Sequence, residues 1–285
     1  MGNLVSVVVI TYQHANYIKQ CLESILMQQT DFDFEIILGE DESSDGTRDI
    51  CIEYANKYPE KIRLFLRSRK DVLYINGNPT GRFNFIECIK EAKGKYISFC
   101  EGDDYWVDPL KLQKQIDFLE ANPDYTIVAS NTNVVNIEGD ITKVINNPTA
   151  TFSIEDMIKT NFLGHATNTV VFKRTLLSSE AIQSMMGSPV GDWLIWLIML
   201  EKGKGYYMAD ILGTYRMHGN GAWSGKSADD KIKTMLQIYD FMLTVFPNYS
   251  LNIQEAKANY ILAFQSKKKK AKKSVFYKIY KKIFK

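Results

Sequence analysis

The sequence predicts an α/β fold: a mainly parallel central sheet with flanking helices and a C-terminal helical extension. Three observations carry this. Leu4–Thr11 is an unbroken apolar run rich in valine, as a parallel strand covered on both faces must be. Short strand-like runs then alternate with helix-like stretches across short links, the pattern of βαβ units. Charged and turn-forming residues collect behind Thr11, Leu38 and Cys100, and ligands of open parallel sheets bind at such carboxyl ends.

Element by element, Ala15–Gln28 carries Ile18, Leu22, Ile25 and Leu26 at helical spacing. Phe34–Leu38 reads as the second strand, followed by the polar loop Gly39–Thr47 and a helix to about Lys57. Ile62–Leu66 is a third strand, Arg82–Lys93 a helix, and Lys95–Cys100 a fourth strand ending at Glu101-Gly102-Asp103-Asp104. Pro109–Ala121 is helical and Tyr125–Asn131 a strand. In the second half, Phe152–Lys159, Asp192–Leu200, Lys226–Phe246 and Ile253–Gln265 read as helices. Thr169–Lys173, Tyr206–Met208 and Ile211–Arg216 read as strands. With no clear linker, the expected organisation is one catalytic body over 1–225, with a nucleotide half (1–133) and an acceptor half (134–225). Helices over 226–265 and a basic tail over 266–285 complete it.

The net charge of +2 hides an asymmetry. Residues 267–285 hold ten lysines and no acid, which leaves the rest of the chain with 25 basic against 33 acidic residues. An acidic body argues against a nucleic-acid groove, so no nucleic-acid partner is expected; the basic tail is suited to an anionic surface. In SKKKKAKKSVFYKIYKKIFK, Phe276, Tyr280, Ile283 and Phe284 share one helical stripe, the signature of an amphipathic helix in a membrane interface. The competing readings are a solubilising tail or a lysine run on RNA. No run approaches the roughly 20 apolar residues of a membrane span. The opening residues read as a strand, not as a signal peptide. Cys21, Cys51, Cys88 and Cys100 are scattered without a CxxC pair, as free thiols in a reducing compartment would be.

Two clusters carry chemistry. Glu101, Asp103 and Asp104 concentrate negative charge at one strand end, and carboxylate oxygens select Mg²⁺ or Mn²⁺. The same turn could instead cap the helix after Pro109. The loop Asp41–Thr47 offers a carboxylate to a base edge, or simply caps the next helix.

The segments SVVVITYQHANYIKQCLESILMQQ, GEDESSDGT, EGDDYW and GDWLIWLIMLEKGKGYYMADILGTYRMHGNGAWS, in that order, resemble the family 2 glycosyltransferases of the Rossmann-like GT-A fold. The resemblance implies a nucleotide-diphospho-sugar donor and an inverting single displacement. Position by position, it places Thr11 and Tyr12 at the base and ribose, Asp41 at the uracil edge and Arg82, in GRFN, near the nucleotide. Asp103 matches the final acid of the metal-binding DxD motif, with Glu101 in its first place and Asp104 beside it to orient the donor sugar or support the metal. Asp192 matches the catalytic base of an ED-W-like motif whose first acid is replaced by Gly191 here; otherwise it caps the following helix. His218 resembles a histidine that approaches metal or diphosphate, against the plainer reading of a structural hydrogen-bonder. Trp223 and Ser224, flanked by Gly219, Gly221 and Gly225, would form a segment closing over the donor.

The resulting expectation is a Mn²⁺- or Mg²⁺-dependent transferase using a UDP-sugar, with a glycan or lipid-linked glycan as acceptor in cell-surface polysaccharide synthesis. It would work in the cytoplasm, peripheral to the inner face of the membrane. The alternative is a non-catalytic sugar-nucleotide or glycan-binding module of the same fold. A dinucleotide oxidoreductase is disfavoured, because no GxGxxG follows the first strand.

Overall fold

A computed structural model describes residues 4–75, 77–218 and 227–283. The first half runs β1 (Val5–Thr11), α1 (Ile18–Leu26), β2 (Phe34–Glu40), α2 (Thr47–Lys57), β3 (Ile62–Leu66), the short antiparallel pair β4 (Leu73–Ile75) and β5 (Asn78–Thr80), α3 (Arg82–Glu91) and β6 (Tyr96–Phe99). It continues through β7 (Tyr105–Trp106), α4 (Lys111–Ala121), β8 (Tyr125–Val135), β9 (Ile141–Ile145) and β10 (Ala150–Phe152). The second half holds α5 (Ile154–Lys159), β11 (Val171–Lys173), α6 (Ser179–Gly187), α7 (Asp192–Lys202), β12 (Lys204–Arg216), α8 (Ala228–Val245) and α9 (Ser250–Ile283).

The main sheet has the order β10-β12-β8-β11-β6-β1-β2-β3. β3, β2, β1, β6, β8 and β12 run one way, while β11, wedged between β6 and β8, and the edge strand β10 run against them. The mainly parallel sheet expected from the sequence is therefore present. Register aligns the site: Thr11 pairs with Glu40 and Val8 with Phe99, so the loops after β1, β2 and β6 leave the same edge side by side.

Alternation along β1 explains its apolar run. Val5, Val7 and Val9 belong to the core that also holds Ile18 and Leu22 of α1 and Leu112 of α4. Val8 joins the opposite core with Ile86 of α3 and with Trp193 and Trp196 of α7. Each face of the strand buries side chains, so no position tolerates a polar residue without a partner. Ser6 has one: its Oγ donates to Glu35 at 2.7 Å.

The structure departs from the sequence reading at several places. Tyr206–Met208 and Ile211–Arg216 are one strand, β12, interrupted by register shifts between Met208 and Gly213; the irregularity breaks the apolar pattern without ending the pairing. The helix expected over Ile253–Gln265 starts at Ser250 and runs without interruption to Ile283, taking in most of the basic tail. α5 begins at Ile154 because Ser153 and Asp156 close a capping box there. β7, β9, β10 and α6 were not anticipated: two are very short, β9 is largely exposed, and α6 buries only Met185.

Beneath the acidic turn after β6 lies a buried lysine. Lys111 Nζ donates to Ser98 Oγ at 3.1 Å and Gln115 Oε1 at 2.8 Å, and sits 4.1 Å above the Trp106 ring. Burial pushes its pKa down from 10.5 to about 7. Above pH 7 the unfolded chain thus holds a proton that the native site does not, and the site's contribution to stability rises with pH until the unfolded lysine also titrates. The stability of the wild type relative to Lys111→Met is expected to climb by about 1 kcal/mol per pH unit between pH 7.5 and 9.5. Parallel denaturant curves for the two proteins test this; a difference that stays flat with pH contradicts it.

Candidate active site

The loops at the sheet's carboxyl edge are tied together through backbone amides. Gln13 N donates to Ser43 Oγ at 2.9 Å, His14 N to Thr47 Oγ1 at 2.8 Å and Ala15 N to Asp45 Oδ2 at 3.0 Å. Gln13 and Glu42 both adopt positive φ, 58° and 60°, to make these turns. The result is a slot in which Asp41, 2% exposed, pairs with Arg69 Nη1 at 2.6 Å. The same guanidinium lies 4.2 Å over the ring of Tyr12, which is 40% exposed. Burial raises the pKa of Asp41 despite its partner. An exposed aromatic face beside a buried carboxylate is suited to a flat heterocycle with an N–H edge. Arg69 was missed from the sequence: it stands in a one-turn helix after β3, in no motif, and only the fold brings it to Asp41.

The acidic turn seats against β1. A Cβ at Gly102 would lie 2.6 Å from Thr11 Oγ1 and 3.0 Å from His14 Nδ1, so the middle position of Glu101-Gly102-Asp103 admits only glycine without displacing them. His218 Nε2 donates to Asp103 Oδ2 at 2.8 Å, and His14 Nε2 is 3.8 Å from the same oxygen. Arg216 clamps the turn: its Nε donates to the Asp103 carbonyl at 3.1 Å, its backbone N to Asp104 Oδ1 at 2.9 Å, and Nη2 to Gln20 Oε1 at 2.8 Å. His14 and Arg216 were also absent from the sequence-derived set, because each acts across more than 80 residues of chain.

Electrostatics sharpen the picture. Burial, then the charges of Asp103 and Asp192, lift Glu101 to a pKa of about 8. Burial and the same crowding by Asp103 and Glu101 push Asp104 well above the carboxylate range. Burial also works against Asp103, but the hydrogen bond from His218 and the neighbouring imidazoles outweigh it and hold its carboxyl low. That hydrogen bond in turn raises His218, while burial lowers His14. Asp103 Oδ1 is buried with no hydrogen-bond partner among the described residues. Among the described residues, two groups of potential ligand atoms converge on Asp103, one with Glu101 and Asp104 and one with His14 and His218, each within 4.8 Å. Crowded, under-compensated carboxylate oxygens with imidazole nitrogens beside them fit a divalent cation.

Asp192 is the first residue of α7 and not its cap, which is Gly191. Its Oδ1 accepts from Trp193 N at 2.8 Å and its Oδ2 from Thr167 Oγ1 at 3.2 Å, so both oxygens are oriented. It lines a cavity of about 630 Å³ walled by Trp193, Tyr215, Tyr239, Tyr260 and Met217. Arg82, at the start of α3, has its guanidinium against Gly191 and within reach of the Asp192 charge, which partly offsets the lowering of its pKa by burial. Trp223 and Ser224 lie outside the described residues.

The model of the family described as "Glycosyl transferase family 2" matches residues 6–180. The chain belongs to glycosyl transferase family 2. An uncharacterised protein of Mycobacterium tuberculosis is 31% identical over 228 residues, 79% of this chain. The chain spans only 62% of that relative's length. The UDP-Glc:alpha-D-GlcNAc-diphosphoundecaprenol beta-1,3-glucosyltransferase WfaP of Escherichia coli is 30% identical over 227 residues, 78% of this chain and 81% of that protein. The mannosyltransferase PcManGT of Pyrobaculum calidifontis, solved with GDP-Man and Mn²⁺, shares the fold at a TM-score of 0.57 and 17% identity, over 93% of this chain and 71% of that one.

Gly191 is where this member's site depends on a missing side chain. A Cβ there would stand 2.2 Å from Arg82 Nη1 and 3.2 Å from Phe85 Cε1. Because Arg82 Nη1 is the far end of a flexible side chain that can swing aside, Gly191→Ala is expected to cost about 0.5–1 kcal/mol in the wild type and to lose that cost in an Arg82→Ala background. Denaturant unfolding of the four proteins of that cycle measures the coupling; additive costs would refute the contact.

Proposed function

We propose that this chain is an inverting glycosyltransferase that moves a sugar from a UDP-sugar to a hydroxyl of a glycan or lipid-linked glycan in cell-surface polysaccharide synthesis. The observation that carries the reading is the pairing of two unlike carboxylate sites. A crowded acid turn, with an unsatisfied Asp103 oxygen, lies near enough to Asp192 for the two charges to interact through Glu101. Asp192 itself opens onto a cavity large enough for a saccharide. The names of the Escherichia coli and Pyrobaculum proteins, with their UDP- and GDP-linked sugars, diphosphoundecaprenol acceptor and Mn²⁺, support the same chemistry.

Asp103 would hold Mn²⁺ or Mg²⁺, with Glu101 and His218 as further ligands, Asp104 behind them, and His14 added to the set by its place beside Asp103. Such a cation supplies positive charge against the diphosphate as it leaves. Tyr12 stacks on the base, Asp41 accepts from its N–H edge, and Thr11 lies beside them at the end of β1. Arg69 keeps Asp41 and Tyr12 in register. Arg82 bears on Asp192 and on the donor's side of it.

Asp192 acts as general base. The acceptor oxygen attacks the anomeric carbon from the face opposite the diphosphate, its proton passes to the Asp192 carboxylate, and the bond from carbon to phosphate oxygen breaks. One displacement inverts the centre, and no covalent sugar–enzyme species forms. Trp193 N and Thr167 Oγ1 hold the carboxylate so that its orientation is settled before the acceptor arrives.

Asp192→Asn is expected to lower kcat by about 10²–10⁴-fold, the usual contribution of a positioned base, while UDP still binds with Mn²⁺. Transfer rates and calorimetric UDP titrations of the variant measure this. Full activity in the variant would discard Asp192 as base, and UDP binding with no transfer to any acceptor by the wild type would favour a binding module.

The basic end of α9 is proposed to rest on an anionic membrane at the cytoplasmic face, since each lysine near such a surface contributes about 1 kcal/mol. None of the described helices is long and apolar enough to cross a membrane. Flotation with vesicles of anionic lipid is expected for the full chain and to be lost when the chain ends at Gln265; equal flotation refutes the tail's role.

A further inference from the structure

The cavity beyond Asp192 carries a charge pattern that a neutral saccharide does not explain. Its walls are aromatic and aliphatic, with Trp193, Tyr215, Tyr239 and Tyr260 offering faces of the kind sugar rings stack on. Yet Lys159 and Lys231 line it as well, and among the described residues that line it Asp192 is the one acid. This occurs in a body that is acidic once the tail is set aside. Lys159, at the end of α5, has Asp156 only at 4.0 Å, an exposed pair of little strength. Lys231 stands in the first turn of α8 beside Asp229 and Asp230, neither of which lines the cavity. Lysine ammonium groups on the wall of a saccharide-sized aromatic cavity are suited to a sugar that bears phosphate.

The cavity and the basic tail also share one helix. Tyr260 belongs to α9, and α9 continues without a break into the lysine run. Lys267 is seven positions after Tyr260, about 10 Å along the axis at 1.5 Å per residue. Cavity wall and basic segment are thus parts of one helix, and the depth of the cavity above an anionic surface is set by it.

We infer that Lys159 and Lys231 bind the phosphate linkage of a lipid-diphosphate-linked sugar acceptor, with the sugar against the aromatic wall and its hydroxyl toward Asp192. This rests on the transferase reading and names the acceptor's chemical class and the residues that select it. The lysines discriminate between acceptors by charge and take no part in the displacement; they are specificity-determining residues.

The test uses the full chain with the donor site first saturated by UDP and Mn²⁺, so that a second diphosphate has no access to the acid turn. Two probes are then titrated calorimetrically: N-acetylglucosamine joined through diphosphate to citronellol, and the same sugar joined directly to citronellol. The diphosphate probe is expected to bind at least tenfold more tightly. Lys159→Ala/Lys231→Ala should abolish that preference, and Lys159→Arg/Lys231→Arg should retain most of it, while both variants keep the UDP–Mn²⁺ isotherm that reports an intact fold. Equal binding of the two probes, binding of neither, or an unchanged preference in the alanine variant overturns the inference. So does inorganic pyrophosphate binding as tightly as the diphosphate probe, since the sugar and the aromatic wall would then contribute nothing. Absence of UDP–Mn²⁺ binding by the wild type, read in the first titration, sinks the transferase reading instead.

Discussion

Three carboxylates in four residues, at the end of a buried strand, are the arrangement on which the rest of the molecule depends. Left alone, Glu101, Asp103 and Asp104 would repel one another in a poorly solvated turn. The chain meets this with groups from distant elements: His14 after β1, His218 after β12, and Arg216 reaching the turn through its backbone and its guanidinium. The compensation is incomplete. Glu101 and Asp104 have raised pKa values and one Asp103 oxygen has no partner among the described residues, so the turn retains an appetite for positive charge. Strain of this kind persists where the surroundings over-determine it, and it suits a site meant to take up a cation.

The sheet makes this possible by being covered on both faces. The packing of α1, α2 and α4 on one side and α3 and α7 on the other leaves its carboxyl edge as the place where charged loops can stay in contact with solvent and with each other. Because β1 pairs with both β2 and β6, the Asp41–Tyr12 slot and the acid turn are separated by one strand only. Thr11 ends that strand and touches both: its carbonyl accepts from Asp41 N, and its hydroxyl lies 3.3 Å from His14.

Much of this was legible in the amino-acid order. The strand–helix alternation was readable because each segment of the first half carries its own period and ends on its own turn residues. Tyr12, Asp41, Asp103 and Asp192 stood out because each occupies a short local motif. Arg69, His14 and Arg216 did not, since their partners lie far away in sequence and neither residue of each pair is unusual by itself. The reason for Gly191 was likewise hidden: only the approach of Arg82 from α3 shows what the missing Cβ makes room for. The single strand β12 was read as two because its bulge interrupts the pattern while the ladder to β8 resumes beyond it.

At the end of β12 the pleat itself divides labour. Arg216 and His218 attend to the acid turn, whereas Tyr215 and Met217, one step out of phase, line the cavity beside Asp192. Alternation of period two is therefore the partition between the two compartments. Any change of length between the bulge and His218 by a single residue would exchange the occupants of both at once, whereas a change absorbed in the irregular stretch before Gly213 leaves them where they are. The straight half, from Gly213 onward, therefore carries the register on which both compartments depend.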